Sequence, residues 1–360
     1  MTSRAAVFHG AGEPFLLQQF PIPELNSSEA LVRILCATIC GSDLHSYFGR
    51  RPSPAPCVMG HEMVGEIAGM GPDGVYDYRG RPFVLGDRVA WSIVWSCGEC
   101  FYCTHSLRPK CERLMKFGHE RISTARALTG GMAEHCHLPP RTAIFKVPPN
   151  VPDRVASPAN CATATVAAVF RHAGPVEGAC VVIHGTGMLG LTACAMAAFG
   201  GARHILAIEP DEQRRDRALQ FGATAALDSA LPPEQILASV KDVSEGRGAD
   251  IGLELAGVPE SMDLGISLLR PGGRFVMAGA TFPGPPVRLS AEDIVRRMIR
   301  IEGVYNYSPE DLESALAFLS HAVNRHPFES LVGKSFHLSE VNAAMHFAET
   351  SRPPRVALIP

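Results

Sequence analysis

Tryptophan occurs only twice in the 360 residues, and charged side chains make up only 19% of them. Lys plus Arg total 33 against 36 Asp plus Glu, a formal net charge of −3. Such a balance lacks the basic field that holds nucleic acid, so a general nucleic-acid binder is excluded. No run of about 18 apolar residues occurs, which argues against a membrane-spanning helix. Low-complexity tracts and internal repeats are also missing. The opening residues Met1-Thr2-Ser3-Arg4 have no apolar leader pattern, so the cytoplasm is the expected compartment.

What is present is ordinary globular composition, with 46% hydrophobic residues. The length suggests about two domains, and a chain of this size buries roughly 75% of its extended surface. The eleven cysteines are an odd number. In a cytosolic chain, clustered cysteines read as metal ligands before disulfides.

Short alternating runs dominate the first 150 or so residues. Segments 30–35, 81–90, 132–138 and 144–147 read as strands between Gly- and Pro-rich turns. The texture changes near Pro149-Asn150-Val151-Pro152. Beyond it, apolar runs at 181–183, 204–208, 250–255 and 274–277 alternate with helical patterns at 189–199, 211–221, 233–243 and 259–269. That order predicts a parallel sheet with helices on both faces. Segments 308–321 and 339–350 read as helices opened by Ser N-caps. Segment 356–359 reads as a closing strand.

Gly185-Thr186-Gly187-Met188-Leu189-Gly190 lies between a strand and a helix. The first glycine permits the tight turn, the second admits a pyrophosphate close to the backbone, and the third allows strand and helix to pack. The helix N-terminus adds free N–H groups and partial positive charge. Glu209 ends the next strand, where a carboxylate binds the ribose hydroxyls of NAD and repels the extra phosphate of NADP. Arg214 and Arg215 follow and leave NADP as the less favoured choice.

Cys97, Cys100, Cys103 and Cys111 have spacing for a closed tetrahedral zinc site; an iron–sulfur cluster is the main competitor. Binding of a metal there becomes folding energy for the lobe. Cys40 in Cys40-Gly41-Ser42-Asp43 and His61 in Gly60-His61-Glu62 are dispersed pieces. A thiolate, an imidazole and one more soft ligand leave a zinc position open for chemistry.

In their order along the chain these motifs resemble the zinc-dependent medium-chain alcohol dehydrogenases. The resemblance spans nearly the whole chain. It implies an α/β protein in which a GroES-like, mostly-β catalytic domain, residues 1–161 and 304–360, carries an inserted Rossmann doubly wound parallel sheet, residues 162–303. It implies two Zn2+ per subunit. Cys40, His61 and Cys161 would hold the catalytic ion, with Glu62 behind it and Asp43 orienting His61. Ser42 would bond the substrate hydroxyl and His45 would end a proton relay. The resemblance further implies hydride transfer between an alcohol, or the matching aldehyde or ketone, and NAD. Homodimer or homotetramer formation, through the segment 299–305, is the expected assembly.

The segments 116–120, 130–138 and 160–165 are most similar to a branch proposed for phosphonate catabolism, and 160–165 also to bicyclic terpenoid-alcohol dehydrogenases. Arg108, Lys110, Lys116 and Arg121 leave an anionic substrate open, whereas Trp91, Ile93, Trp95, Tyr47 and Phe48 suggest an aromatic wall. Gly118-His119-Glu120 repeats the tripeptide at 60–62 without a ligand role in the family pattern. The alternatives are a zinc-free NADPH reductase and a non-catalytic NAD-binding or structural member of the same superfamily.

Overall fold

Alternation in Ala30-Leu31-Val32-Arg33-Ile34 places one face in a core. In the computed structural model, which describes residues 1–124 and 126–360, this stretch is part of the strand Ala30–Ile39. That strand is the spine of a seven-stranded sheet ordered Ile144–Lys146, Arg88–Trp91, Glu62–Met70, Ala30–Ile39, Arg355–Ile359, Val332–His337, with His135–Leu138 pairing off this path. A three-stranded sheet orders Leu16–Pro21, Thr2–Phe8 and Cys57–Val58. Val32, Ile34, Met63, Ile67, Trp91, Val356 and Leu358 meet in one apolar core.

This first unit comprises Met1–Ala164, Ser308–Val323 and Phe328–Pro360. The second comprises Thr165–Tyr307 and Asn324–Pro327. The joints therefore fall at 164/165 and 307/308, where the sequence suggested 161/162 and 303/304. The four-residue return at Asn324–Pro327 had no local signal; His326 stacks on Phe221 with ring centroids 5.8 Å apart.

The second unit is a six-stranded parallel sheet ordered Ala225–Leu227, His204–Ile208, Cys180–His184, Ala249–Glu254, Leu269–Met277, Arg300–Gly303. The helices Met188–Phe199, Glu212–Gln220, Pro233–Val243 and Pro259–Leu268 alternate with its strands. Together the GroES-like β unit and the Rossmann sheet make the chain α/β.

Several local expectations shift. Only Arg88–Trp91 of the segment 81–90 is a strand, because Val84 and Leu85 are exposed in the preceding turn. The strand Glu62–Met70 and the helix Ala162–Ala173 were not foreseen. Ser308 does cap its helix, in a capping box with Asp311. Ser339 does not: it lies inside a short 3-10 turn capped by His337, and the α-helix begins at Val341. Among the described residues no helix is long and apolar enough to cross a membrane.

Candidate metal centres and dinucleotide loop

The lobe from Cys97 to Cys111 is too short to hold itself by apolar packing, and its thiols form its centre. The sulfurs of Cys97 and Cys103 lie 3.9 Å apart, as do those of Cys100 and Cys111. A tetrahedral zinc with bonds of about 2.3 Å requires sulfur–sulfur edges of about 3.8 Å. Backbone N–H groups already point at sulfur: Cys97 N donates to Cys111 Sγ at 3.3 Å, Cys100 N to Cys97 Sγ at 3.4 Å and Arg113 N to Cys111 Sγ at 3.3 Å. Such donors stabilise thiolates. The chemistry of this set fits a closed zinc site, and all four ligand atoms lie within 4.8 Å of one another.

A second cluster unites distant segments of the same unit. Cys40 follows the strand Ala30–Ile39, His61 and Glu62 open the strand Glu62–Met70, and Cys161 ends the 3-10 turn Ser157–Asn160. Their ligand atoms lie within 4.8 Å of one another. The turn is held by Asn160 Nδ2, which donates to the Trp91 carbonyl at 3.1 Å. Gly60 carries the chain into the cluster at φ +88, where a Cβ would stand 2.9 Å from Met132 N.

Each member is braced. Asp43 Oδ1 lies 3.2 Å from His61 Nδ1, and Asp43 Oδ2 accepts from Cys40 N at 2.9 Å. His61 Nε2 is thereby turned toward the cluster, with Ser42 Oγ 3.4 Å away. Burial alone would lower the His61 pKa, but Asp43 and then Cys40 raise it to about 10. The Cys40 thiol is held well below its ordinary range by the hydrogen bond from Cys161, with Arg355 adding to the effect. Cys161 moves the opposite way, raised by its hydrogen bond to Cys40 and by burial. A thiolate–imidazole–thiolate set of this kind fits zinc.

Arg355 is the residue that sequence reasoning missed. Its Nε and Nη2 donate to the two oxygens of Glu62, each at 2.6 Å, and Nη2 lies 3.5 Å from Cys40 Sγ. Thr38 Oγ1 adds a 2.7 Å bond to Glu62. Burial raises Glu62 to about 6 against the pull of Arg355. Both Glu62 oxygens thus accept hydrogen bonds from the protein, beside the sulfur and nitrogen atoms of Cys40, His61 and Cys161. The only local signal for this was an arginine opening the otherwise apolar run 355–359.

Ser42 and His45 both sit on the helix Gly41–Tyr47, three positions apart and so on neighbouring faces. His45 is half-buried; burial, then Arg50, lowers its pKa. Of the expected aromatic wall, Tyr47 belongs to the core, stacked on Phe15 at 5.3 Å. Trp91 is fully buried, and Trp95 donates to the Pro140 carbonyl at 2.8 Å. Among the basic residues, Arg121 is committed to the Ala55 carbonyl at 2.6 Å. His119, set aside in sequence, lies beside His61 with ring centroids 5.3 Å apart. Burial, then His61, holds its pKa well below the ordinary value.

In the second unit, Gly185 adopts φ +84, and a Cβ there would stand 2.9 Å from Ala256. At Gly190 a Cβ would fall 1.8 Å from the Gly185 carbonyl oxygen. Gly187 caps the helix that begins Met188-Leu189. Glu209 is buried and tied to the loop, accepting from Thr186 N at 2.8 Å and Thr186 Oγ1 at 3.2 Å. Arg214 contributes its backbone N–H to the Asp211 cap, while the Arg215 guanidinium binds the carbonyls of Glu209 and Pro210.

Residues 26–149 match the alcohol dehydrogenase GroES-like domain, and 189–321 match the zinc-binding dehydrogenase domain. A sorbitol dehydrogenase of Halalkalibacterium halodurans is 30% identical over 358 residues, covering 98% of this chain and 97% of that one. A 5-exo-hydroxycamphor dehydrogenase of Pseudomonas putida is 28% identical, covering 92% and 91%. Among solved structures, an alcohol dehydrogenase from Thermotoga maritima superposes with a TM-score of 0.94 at 28% identity, with 100% of both chains covered. The chain is an oxidoreductase and belongs to the zinc-dependent medium-chain alcohol dehydrogenase family.

Proposed function

We propose that this protein transfers a hydride between an alcohol carbon and NAD, with one zinc on Cys40, His61 and Cys161 and a second on Cys97, Cys100, Cys103 and Cys111. The observation that carries the reading is the convergence of two thiols and an imidazole from three separate segments, with the adjacent Glu62 neutralised by Arg355. Zinc at the first site supplies Lewis-acid polarisation, which brings proton loss from an alcohol into the neutral pH range.

The chain's own groups do the rest. Asp43 holds the His61 ring so that Nε2 faces the site. Ser42 Oγ, 3.4 Å from that nitrogen, would take up the hydroxyl proton of an alcohol bound there while releasing its own hydroxyl proton to the relay. His45 stays neutral near pH 7, because its pKa is lowered, and can take that proton on toward water. Arg355 and Thr38 keep the Glu62 carboxylate occupied and so leave a position for substrate.

The cofactor assignment rests on Glu209, whose carboxylate stands at the end of the strand His204–Ile208 where a 2′-phosphate would meet negative charge. The names of the sorbitol and 5-exo-hydroxycamphor relatives agree with an alcohol or carbonyl substrate. The edge position of Arg300–Gly303 supports pairing with a second copy.

Zinc per subunit, measured on the freshly purified protein and on Cys161→Ala, tests the reading. The expected counts are two and one, with NAD-dependent alcohol oxidation lost in the variant. One zinc in both proteins would refute it.

A further inference from the structure

The sheet of the second unit reverses its order once. From Cys180–His184 the chain runs outward through His204–Ile208 to Ala225–Leu227, then returns to place Ala249–Glu254 on the other side of Cys180–His184. In open parallel sheets a ligand sits beyond the carboxyl ends of the two strands that flank such a reversal. Here those ends are His184, which leads into Gly185-Thr186-Gly187, and Glu254, its partner in register.

Glu254 breaks the character of its strand. Ile251 and Leu253 are buried and apolar, yet the strand closes on a carboxylate that is 0% exposed. Withdrawn from water, that group needs donors. They come from the turn that follows. Oε1 accepts from Ala256 N at 2.9 Å and from Gly257 N at 2.6 Å, and Ser261 Oγ lies 2.9 Å from the same atom. The main-chain oxygen of Glu254 accepts from Ala278 N and Gly279 N, each at 3.0 Å. The turn after the strand Leu269–Met277 is therefore tied to the same residue.

The two turns also touch each other. Gly257 adopts φ +77, and a Cβ there would stand 2.7 Å from the Gly279 carbonyl oxygen. A Cβ on Gly279 would stand 2.5 Å from Gly257 N and 2.8 Å from Glu254 Oε2. The segments 255–258 and 278–281 thus form one wall, with Glu254 beneath it. The glycine loop is fixed separately: Gly185 N donates to the Ile208 carbonyl at 2.9 Å, and Thr186 N to Glu209.

We propose that Glu254 is a positioning residue that sets the wall against which the nicotinamide half of NAD lies. Glu209 and the glycine loop take the adenosine and pyrophosphate on one side of the reversal. The rest of the dinucleotide then crosses to the side that Glu254 organises. Being fully buried, Glu254 acts through 255–258 and 278–281 and not by contact. The proposal rests on the NAD reading of this unit and deepens it.

The probes are NADH and ADP, the second lacking nicotinamide and its ribose. Both are titrated calorimetrically into zinc-loaded wild type, Glu254→Ala, Glu254→Gln and Gly279→Ala, and the emission of bound NADH is recorded. Glu254→Ala should weaken NADH about tenfold and shift its emission toward that of free NADH, while ADP stays within about twofold of wild type. Gly279→Ala presses on the same contact from the opposite turn and should reproduce that pattern. Glu254→Gln, which keeps an acceptor oxygen, should recover part of the loss.

Equal weakening of ADP and NADH in both alanine variants marks a general loss of structure and overturns the role of Glu254. Unchanged NADH affinity and emission in Glu254→Ala overturn it too. Either result leaves the NAD reading standing. A wild type that binds neither NADH nor ADP overturns the NAD reading itself, and this proposal with it.

Discussion

Replacing Arg355 by Met should be among the most damaging single changes in the metal-binding unit. The guanidinium is 6% exposed and its partner Glu62 is fully buried, with both carboxylate oxygens bonded to it at 2.6 Å. Removing one member of such a pair strands the other charge in a poorly solvated site, which costs about 3–5 kcal/mol. For a unit of this size, each kcal/mol moves the melting temperature by about 2–4 °C, so a fall of about 6–20 °C is expected. Urea and thermal unfolding of zinc-loaded protein measure it, with zinc content determined on the same samples. The partner experiment is the double change Arg355→Met with Glu62→Gln, which removes both charges. If the cost is that of a stranded carboxylate, the double variant recovers at least half of the loss, an interaction of about 2 kcal/mol. A single-variant loss below about 1 kcal/mol would refute the reasoning, and so would a double variant no more stable than the single one.

Two further outcomes follow from the Rossmann unit. His184 is fully buried, and burial lowers its pKa to about 4, below the usual value of 6.5 for the unfolded chain. The unfolded chain therefore binds the proton more readily below pH 6.5, and stability falls as pH drops from there toward 4, by about 2 kcal/mol at pH 5. The gap between the urea midpoints at pH 8 and pH 5 should shrink in His184→Leu, and an unchanged pH dependence in that variant would show that His184 does not contribute to it. Glu209→Ser removes the carboxylate that accepts from Thr186 N, so the KM for NAD should rise at least about tenfold and the preference over NADP should fall; an unchanged NAD to NADP ratio would remove Glu209 from the discrimination.

How far the sequence could be read depends on how local each signal is. Most of the parallel sheet was legible because four of its strands and the helices between them carry their own pattern, and Gly185 to Gly190 marks the joint; the three-residue strand Ala225–Leu227 and the helix Ala291–Arg297 were not read. The cysteine lobe was legible because its ligands fall within fifteen residues and their spacing is itself the geometry. The strand Glu62–Met70 was harder. It starts with the buried site residue Glu62 and contains Gly65, where a Cβ would stand 2.4 Å from the Arg33 carbonyl oxygen, so packing overrides the alternation that usually marks a strand. Segment 81–90 erred the other way, since Val84 and Leu85 have β-branched or apolar character but face water in a turn.

Proximity between remote segments was the hardest to read. Arg355 meets Glu62 across 293 positions, and no periodicity reports such a contact. Its chemistry does leave a trace: a guanidinium opening an apolar closing strand is expensive unless something pairs with it, and the strand Arg355–Ile359 lies next to Ala30–Ile39, which in turn pairs with Glu62–Met70. Once the sheet order is known, Glu62 is a buried carboxylate within two strands of that arginine. The same reasoning applies to His119. In sequence Gly118-His119-Glu120 was a coincidence of three letters, because the family pattern has no use for it as a ligand. In the fold, Gly118 is the residue that lets the loop touch Gly60-His61, and that contact sets the His119 and His61 ring centroids 5.3 Å apart.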